Sequence, residues 1–500
     1  MSAPGTTTDR SVWADDVRLM LGLITLLTIA RFAVAPFIPL AFDEAYYWRW
    51  STHLAFGYLD HPPMVAWLVR AGTTFGGDTL FGVRLAFLVL GVVGSWAVWR
   101  AVETLFGDRR LAALATLFFN LTLIVAVGTI LATPDGPLVT LAAVLLYCLT
   151  KIAKTGKPAW WLAAGAVIGL GCLTKYTALF WLGGAFLWVV LDPRMRPQLR
   201  TAWPWLGALL ALVVFLPNLL WNAAHGWMTF EKQFGRVDDG SWGFTYFFEH
   251  IGTEIGMATP IIFILGWLGL AVFLRGKLAD RTSRLMLGLL VWPMSLYFIY
   301  HSLHARVEGN WSGPIFAAFA IVAAIVAQST DWRGVMAAIV RVLRVAAVPV
   351  GLVFVAAIYF QALFGLIPMG SWDPTATRMG EGIPEIAAQV EAIRRDRGAT
   401  LILTPDYGLT GWLSFYSPVR PAPVAQANEP ERWLQEPPVA DELLEGPMIV
   451  VLPEGRTMPA EIEALGLTER VASLDRMRGD RRIATYEVYV LRRNALAFAD

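Results

Sequence analysis

The chain has 500 residues, of which 56% are hydrophobic and only 16% charged, with a mean hydropathy of +0.54. This composition excludes an ordinary soluble domain and predicts a polytopic membrane protein, because many runs reach the roughly 17–25 apolar residues that a bilayer crossing needs. The net charge of +1 indicates no class of partner. Both cysteines, Cys148 and Cys172, fall inside apolar runs, which argues against a disulfide framework.

Eleven apolar segments are predicted to span the membrane: residues 17–40, 81–99, 111–132, 136–149, 160–173, 178–191, 202–221, 255–274, 285–300, 314–327 and 345–366. The polar N-terminus lacks the basic start of a cleaved signal peptide, so residues 17–40 are expected to be retained as the first helix. Every second loop is basic, for example at Arg109 and Arg110 or at Arg194 and Arg196. The positive-inside rule then predicts a cytoplasmic N-terminus.

The remaining loops should lie together on the outer face: residues 43–80, 133–135, 174–176, 222–254 and 301–311, with the tail after residue 366. They also carry most of the unusual polar residues. We therefore expect an active surface on that face, although loops carry polar residues for simpler reasons too.

From residue 367 the composition becomes that of a soluble domain, so we expect two units, residues 1–366 and residues 367–500. Helical spacing covers residues 384–395, and residues 460–465 form a short helix that Gly466 ends. Residues 401–404, 448–452 and 484–491 are predicted strands, and the proline-rich residues 421–438 a loop. Interleaved helices and strands predict a small α/β domain.

The first outer loop, FDEAYYWRWSTHLAFGYLDHPP at residues 42–63, opens with two adjacent carboxylates and is rich in Trp and Tyr. Aromatic rings prefer the membrane interface, and ionisable groups beside hydrocarbon are candidates for function. Asp43 is the candidate general base, with Glu44 in support. The alternative is that both acids only cap a helix over residues 44–53.

His61 ends this loop in Asp-His-Pro-Pro. It is a candidate for phosphate binding, with a hydrogen-bonded structural histidine as the equal alternative. A metal site drawn from Asp43, Glu44, His53 and His61 has no supporting ligand spacing, so no metal is expected.

Two further outer-face residues are candidates for substrate binding. Asp135 lies in the turn TPDG and is either a helix N-cap or a substrate contact. Lys175 is a lone cation between two apolar segments, where it can bind a lipid-linked phosphate or simply extend its ammonium to the interface.

The loop HSLHARVEGNW, residues 301–311, packs four ionisable residues between two predicted spans. Arg306 can bind phosphate through two parallel hydrogen bonds, and Asn310 and Trp311 can position a sugar. An internal ion pair between Arg306 and Glu308 is the alternative. Arg84, at the start of the second span, is another candidate cation on the outer face.

Five motifs, FDEAYYW, GYLDHPP, TPDGPL, LTKYTALFW and VEGNWSGP, together resemble bacterial membrane glycosyltransferases of the GT-C class. The resemblance is strongest to the branch of protein mannosyltransferases and of lipid A aminoarabinose or galacturonic acid transferases. It implies about eleven to thirteen membrane helices, amphipathic helices within residues 41–80, and a periplasmic α/β domain. It also implies a multi-pass protein of the bacterial inner membrane.

The implied reaction is an inverting transfer of a sugar from undecaprenyl phosphate to a periplasmic envelope acceptor such as lipid A, lipopolysaccharide core or another glycan. Asp43 would deprotonate the acceptor hydroxyl, and Lys175, Arg306 and Arg84 would hold the phosphate. No cofactor is implied. Tyr58 and His61 lie in GYLDHPP and are carried over as substrate contacts. Aminoarabinose transferases carry Lys where this chain has His61, which leaves the sugar open.

Two other functions are weighed against this one. A transporter or flippase of lipid-linked sugars would place charges at mid-span and show internal symmetry, which the sequence does not. A non-catalytic envelope scaffold would leave Asp43 and Lys175 unexplained.

Overall fold

The computed structural model describes residues 16–235 and 242–493; residues 1–15, predicted to be cytoplasmic, lie outside the described part. Each of the eleven predicted spans contains a helix or a helix pair. The helices up to residue 364 are α1 Val17–Val34, α2 Phe42–Thr52, α3 Met64–Gly76, α4 Leu80–Phe106, α5 Arg109–Leu121, α6 Leu123–Ala126, α7 Asp135–Thr155, α8 Ala159–Cys172, α9 Leu179–Leu191, α10 Trp203–Ala224, α11 Met228–Phe234, α12 Thr245–Ala258, α13 Pro260–Leu274, α14 Arg281–Leu289, α15 Trp292–His301, α16 Phe316–Gln328 and α17 Gly334–Phe364.

Within the described ranges, six helical segments are long and apolar enough to cross a bilayer: α1, α4, α7, α10, α14 with α15, and α17. A seventh crossing is possible through α12 and α13, which meet at a bend of 105°. Three shorter apolar helical segments cover residues 159–172, 176–191 and 313–328. The chain is a multi-pass membrane protein, and the number of eleven to thirteen crossings stays a prediction.

The predicted outer and basic loops separate in space. Residues from the outer loops at 43–80, 133–135, 222–254 and 301–311 line one large cavity together with the tail after residue 366. Three of the basic loops meet elsewhere, where Lys154, Arg194 and Asp280 line a small polar cavity. The alternation read from the charges therefore corresponds to a real grouping of the loops.

The C-terminal region contains five short helices and one mixed five-stranded sheet, which confirms the predicted α/β domain. Its helices are α18 Pro374–Thr377, α19 Ile383–Asp396, α20 Tyr407–Tyr416, α21 Asp441–Glu445 and α22 Ala460–Leu465. Its strands are β1 Leu401–Thr404, β2 Val424–Gln426, β3 Met448–Pro453, β4 Gly466–Arg478 and β5 Arg481–Arg493, in the order β2-β1-β3-β5-β4. Strand β1 pairs in parallel with β2 and β3, and β5 pairs antiparallel with β3 and β4.

Helices α18, α20 and α21 and strands β2 and β4 are absent from the sequence prediction. Strand β2 has only three residues and lies in the stretch predicted as a loop, close behind Pro421 and Pro423. Strand β4 is an edge strand with several exposed positions, so its hydrophobic alternation is weak. Charged, exposed edges of this kind protect a sheet from pairing with other chains.

The first outer loop packs directly on the C-terminal domain. One buried cluster joins Tyr46 and Trp50 of α2 to Trp412 and Leu413 of α20. The two helices approach so closely that a Cβ atom on Gly411 would lie 2.8 Å from the backbone nitrogen of Tyr46. Glycine at this position lets the domain settle on α2, and α2 carries the candidate base.

Candidate active site

The large cavity has a volume of about 730 Å³ and lies between the membrane helices and the C-terminal domain. Its apolar wall comes from residues near α6 and from α12 and α17, including Leu123, Ile124, Val127, Met257 and Ile358. Its charged side chains are Asp43, Asp135, Glu249, Arg306, Glu308 and Arg378. A cavity that joins an apolar wall to a few converging charges suits a ligand with a lipid part and a polar part.

Asp43 is placed in this cavity by its position in the first turn of α2. Its Oδ1 accepts a hydrogen bond from the Tyr407 hydroxyl at 3.2 Å. Burial raises the pKa of Asp43 to about 6; the Tyr407 hydrogen bond and the positive charge of Arg378 lower it, while the negative charges of Asp60 and Asp135 raise it. A carboxylate with its pKa near neutrality is well suited to accept a proton from a hydroxyl.

Glu44 points away from the cavity into a closed ion pair with Arg84. The Arg84 Nη2–Glu44 Oε2 distance is 2.6 Å, and both side chains are fully buried. Arg84 also donates to the carbonyl oxygens of Ala35, Ile38 and Pro39, while Glu44 accepts from the backbone nitrogens of Ala41 and Ala132.

This arrangement bears on the predicted roles of both residues. Arg84 has its N–H groups engaged inside the protein, so it lacks a free donor for a phosphate. Glu44 connects the first turn of α2 to Ala41, Arg84 and Ala132, so its role is structural. The capping alternative thus applies to Glu44, whose carboxylate accepts from the Ala41 nitrogen at 2.9 Å.

Asp135, Lys175 and Asn310 form one hydrogen-bonded group, although their loops are far apart in sequence; the two charged residues are buried and Asn310 is half-buried. The Lys175 Nζ–Asp135 Oδ1 distance is 2.8 Å, and Asn310 Nδ2 donates to Asp135 Oδ2 at 2.7 Å. Asp135 and Asn310 line the cavity, whereas Lys175 lies behind them and is 7% exposed. Asp135 already balances the charge of Lys175 and uses one of its three N–H donors.

Two arginines reach the cavity from different elements. The Arg306 side chain is 62% exposed, with its Nε 3.4 Å from Glu249 and 4.0 Å from Glu308. Arg378 belongs to the segment after α18, which forms a β-bridge with the start of α2 between Ala41 and Met379. The Arg378 side chain is exposed, and it forms no hydrogen bond or ion pair with the described residues, 16–235 and 242–493. Arg378 is therefore the cation of the cavity that is most free to meet an anion.

Three other predicted contacts lie outside the cavity wall. Tyr58 is buried with its ring stacked on Trp50 at 4.1 Å, and its hydroxyl bonds backbone atoms of the same loop. His61 lies edge-on to Tyr47, and Trp311 packs near Phe298. The ring and hydroxyl of Tyr58 shape the first loop, and its direct contact with substrate stays a prediction.

Sequence reasoning missed Arg378 and Tyr407. Tyr407 begins α20 three residues beyond the end of β1, a strand buried along its whole length and paired in parallel with both neighbours. Residues that follow the carboxyl end of a parallel strand commonly reach a ligand site, so TPDYG held a usable signal. For Arg378 the sequence contains no comparable signal.

No group of three or more His, Cys, Asp or Glu side chains able to hold a metal ion is found over residues 16–235 and 242–493. Around the cavity, the Asp43 carboxylate with its raised pKa, the Tyr407 hydroxyl that bonds it and the two arginines are joined by the carboxylates of Asp135, Glu249 and Glu308.

Comparison with known proteins gives this arrangement its context. Residues 60–221 match the family model described as dolichyl-phosphate-mannose-protein mannosyltransferase. Lipid A galacturonosyltransferase RgtD of Rhizobium johnstonii is 27% identical over 284 residues, which cover 56% of this chain and 59% of that protein. The undecaprenyl phosphate-alpha-4-amino-4-deoxy-L-arabinose arabinosyl transferase 1 of Pseudomonas fluorescens is 25% identical over 43% of this chain and 38% of its own length.

The crystal structure of ArnT from Cupriavidus metallidurans bound to undecaprenyl phosphate superposes with a TM-score of 0.65, covering 95% of this chain and 98% of that one at 16% identity. This chain is related to the GT-C glycosyltransferases. The resemblance inferred from the five motifs is confirmed, and so is the GT-C fold with its C-terminal sheet domain. The alignments to the two relatives span less than two thirds of their length.

Proposed function

We propose that this GT-C chain is an inverting glycosyltransferase that moves a sugar from a polyprenyl-phosphate donor to an acceptor of the bacterial envelope. The single observation that carries the proposal is the Asp43 carboxylate, with its pKa near 6, in a cavity with an apolar wall and two arginines. Relatives that act on lipid A or use an undecaprenyl-phosphate sugar support the donor and acceptor classes.

In the proposed reaction Asp43 takes the proton of an acceptor hydroxyl as its oxygen attacks the anomeric carbon of the donor sugar. The bond between that carbon and the phosphate oxygen breaks, and the polyprenyl phosphate leaves with the electron pair. Because the transition state resembles an oxocarbenium ion and negative charge grows on the phosphate, preorganised cations lower the barrier. Arg378 and Arg306 are placed to supply that charge.

The other cavity residues would position these groups. Tyr407 holds the Asp43 carboxylate, and Asp135 orders Asn310 at the cavity wall. Apolar residues such as Ile124 and Val127 would receive the first part of the lipid chain. The donor and the acceptor would meet on the periplasmic face of the inner membrane, the side opposite to the basic loops.

The test is sugar transfer by membranes that contain the wild-type chain or Asp43→Asn, with undecaprenyl-phosphate sugars as donors and envelope lipids as acceptors. The loss of a general base should lower the rate by about 10²–10⁴-fold, since Asn cannot take the proton. Donor binding and protein level should stay unchanged. Asp396→Asn, at an exposed acid far along α19, is the matched control and should transfer normally. Equal transfer by Asp43→Asn and wild type would remove Asp43 from the mechanism.

A further inference from the structure

A second cavity, of about 460 Å³, opens on the surface of the C-terminal domain. It is formed by the start of α20, the β5 strand, the loop after β3 and the side chain of Phe42. No helix from α3 to α17 contributes a residue to its wall. None of the residues predicted from the sequence to form the site lies in it, and the proposed reaction leaves it unused.

The second cavity is lined by aromatic side chains and by a paired acid and base. Phe42 packs edge-on against Tyr407 and Trp412, with ring centroids 6.1 and 6.0 Å apart. At its rim, Arg456 Nη1 lies 2.6 Å from Asp406 Oδ2, and the two side chains remain 42% and 33% exposed. Aromatic faces pack against the C–H face of a sugar ring, while a carboxylate and a guanidinium accept from and donate to its hydroxyls.

The second cavity and the active-site cavity share a thin wall. Phe42 lines both cavities. Thr377 faces the second cavity, while its neighbour Arg378 faces the active site. Tyr407 lines the second cavity and donates its hydroxyl hydrogen bond to Asp43. A ligand in the second cavity is therefore one side-chain layer away from the candidate base.

We propose that the second cavity binds a saccharide unit of the acceptor, next to the unit whose hydroxyl Asp43 deprotonates; this rests on the proposed function. The acceptor fits better than the donor, because the donor sugar is tied through its phosphate to a lipid chain. That chain needs an apolar wall continuous with the membrane helices, and no helix from α3 to α17 lines the second cavity. The C-terminal domain would thus select acceptors by their glycan.

The test measures binding of soluble disaccharides of glucosamine, glucose and galactose to the full-length chain in lipid nanodiscs, by titration calorimetry and saturation-transfer NMR. At least one disaccharide should bind the wild type saturably. Arg456→Gln should weaken that binding about tenfold, since it removes a charged hydrogen-bond donor. Ala484→Phe, which fills the cavity from β5 without removing a polar contact, should weaken it as well.

Arg470→Gln is the matched control, because Arg470 is a surface arginine of the same sheet paired with Glu487 at 3.0 Å. It should bind as the wild type does. Asp43→Asn should also bind normally, which separates this proposal from the proposed reaction. No saturable binding to the wild type, or wild-type affinity in both Arg456→Gln and Ala484→Phe, would overturn the saccharide site while leaving the role of Asp43 intact. Weakened binding in those variants with no transfer by the wild type would support the site and count against the reaction.

Discussion

Two neighbouring acids at the start of α2 belong to two very different regions. Asp43 opens into the active-site cavity with the Tyr407 hydroxyl as its hydrogen-bond partner, whereas Glu44 lies in a closed region with Arg84 and three backbone carbonyls. Successive residues of a helix point about 100° apart, so two adjacent side chains necessarily face different surroundings. Both regions contain carboxylates and cations. They differ in access, because only the cavity is open to a ligand.

The charged residues of the two regions have different roles, one structural and one in binding and proton transfer. In the closed region every charge is matched, so the region fixes the geometry of the first loop and cannot respond to substrate. In the cavity the negative charges outnumber the positive ones, and Arg378 has no ion-pair partner within residues 16–235 and 242–493. Charges left unmatched in a cavity are available for binding and proton transfer.

The largest stability effect is expected from Glu44→Gln. Removing one partner of a buried ion pair leaves an uncompensated charge, which should lower the free energy of unfolding by about 3–5 kcal/mol. Denaturation in detergent measures this change. Glu103→Gln is the control: its pair with Arg100 is partly exposed, so the loss should stay below about 1 kcal/mol. Equal stability of Glu44→Gln and wild type would show that the closed region is not a structural clamp.

The next effect is on donor binding, from Arg378→Gln. Loss of a charged hydrogen bond to the phosphate is worth about 1.5–3 kcal/mol, so the Kd for the polyprenyl-phosphate donor should rise roughly ten- to hundredfold. Folding should not change, because Arg378 is exposed and forms no ion pair in the described ranges. Arg378→Lys should restore part of the affinity. An unchanged donor Kd in Arg378→Gln would exclude it from the phosphate site.

The smallest effect is a change in pH dependence, from Tyr407→Phe. Asp43 works as a base only when deprotonated, so transfer by the wild type should rise as the pH increases through about 6. The Tyr407 hydrogen bond lowers the pKa of Asp43. Its removal should therefore move this rise in the transfer rate, the acidic limb of the pH profile, to higher pH. Well above the limb, the rates of variant and wild type should approach each other. An unshifted limb would mean that Tyr407 does not act on Asp43.

The membrane helices and much of the C-terminal domain were predictable, because long apolar runs and regular spacing encode them locally. Asp43 was predictable for the same reason: it follows the first span within an unusual aromatic loop. Glu44 was separated from Asp43 as a supporting residue, but the sequence did not show which partner its carboxylate meets. Its pairing with Arg84 joins residues 40 positions apart.

The remaining site residues depend on contacts over hundreds of positions. The hydrogen bond from Tyr407 to Asp43 spans 364 residues, and Arg378 reaches the cavity through a bridge to the start of α2. A single sequence carries no record of such pairings. The placement of Lys175 behind Asp135 is a similar case, because the sequence gives both charges but not the pair that neutralises them.

The central claim is that Asp43 carries out the reaction and Glu44 only supports the fold. The most direct measurement is sugar transfer per folded molecule for Asp43→Asn and Glu44→Gln in parallel, with the folded fraction taken from size-exclusion chromatography. Asp43→Asn should remain folded and lose at least about 99% of transfer. Glu44→Gln should give fewer folded molecules that each transfer sugar at nearly the wild-type rate. The reverse result, active folded Asp43→Asn and inactive folded Glu44→Gln, would contradict the account.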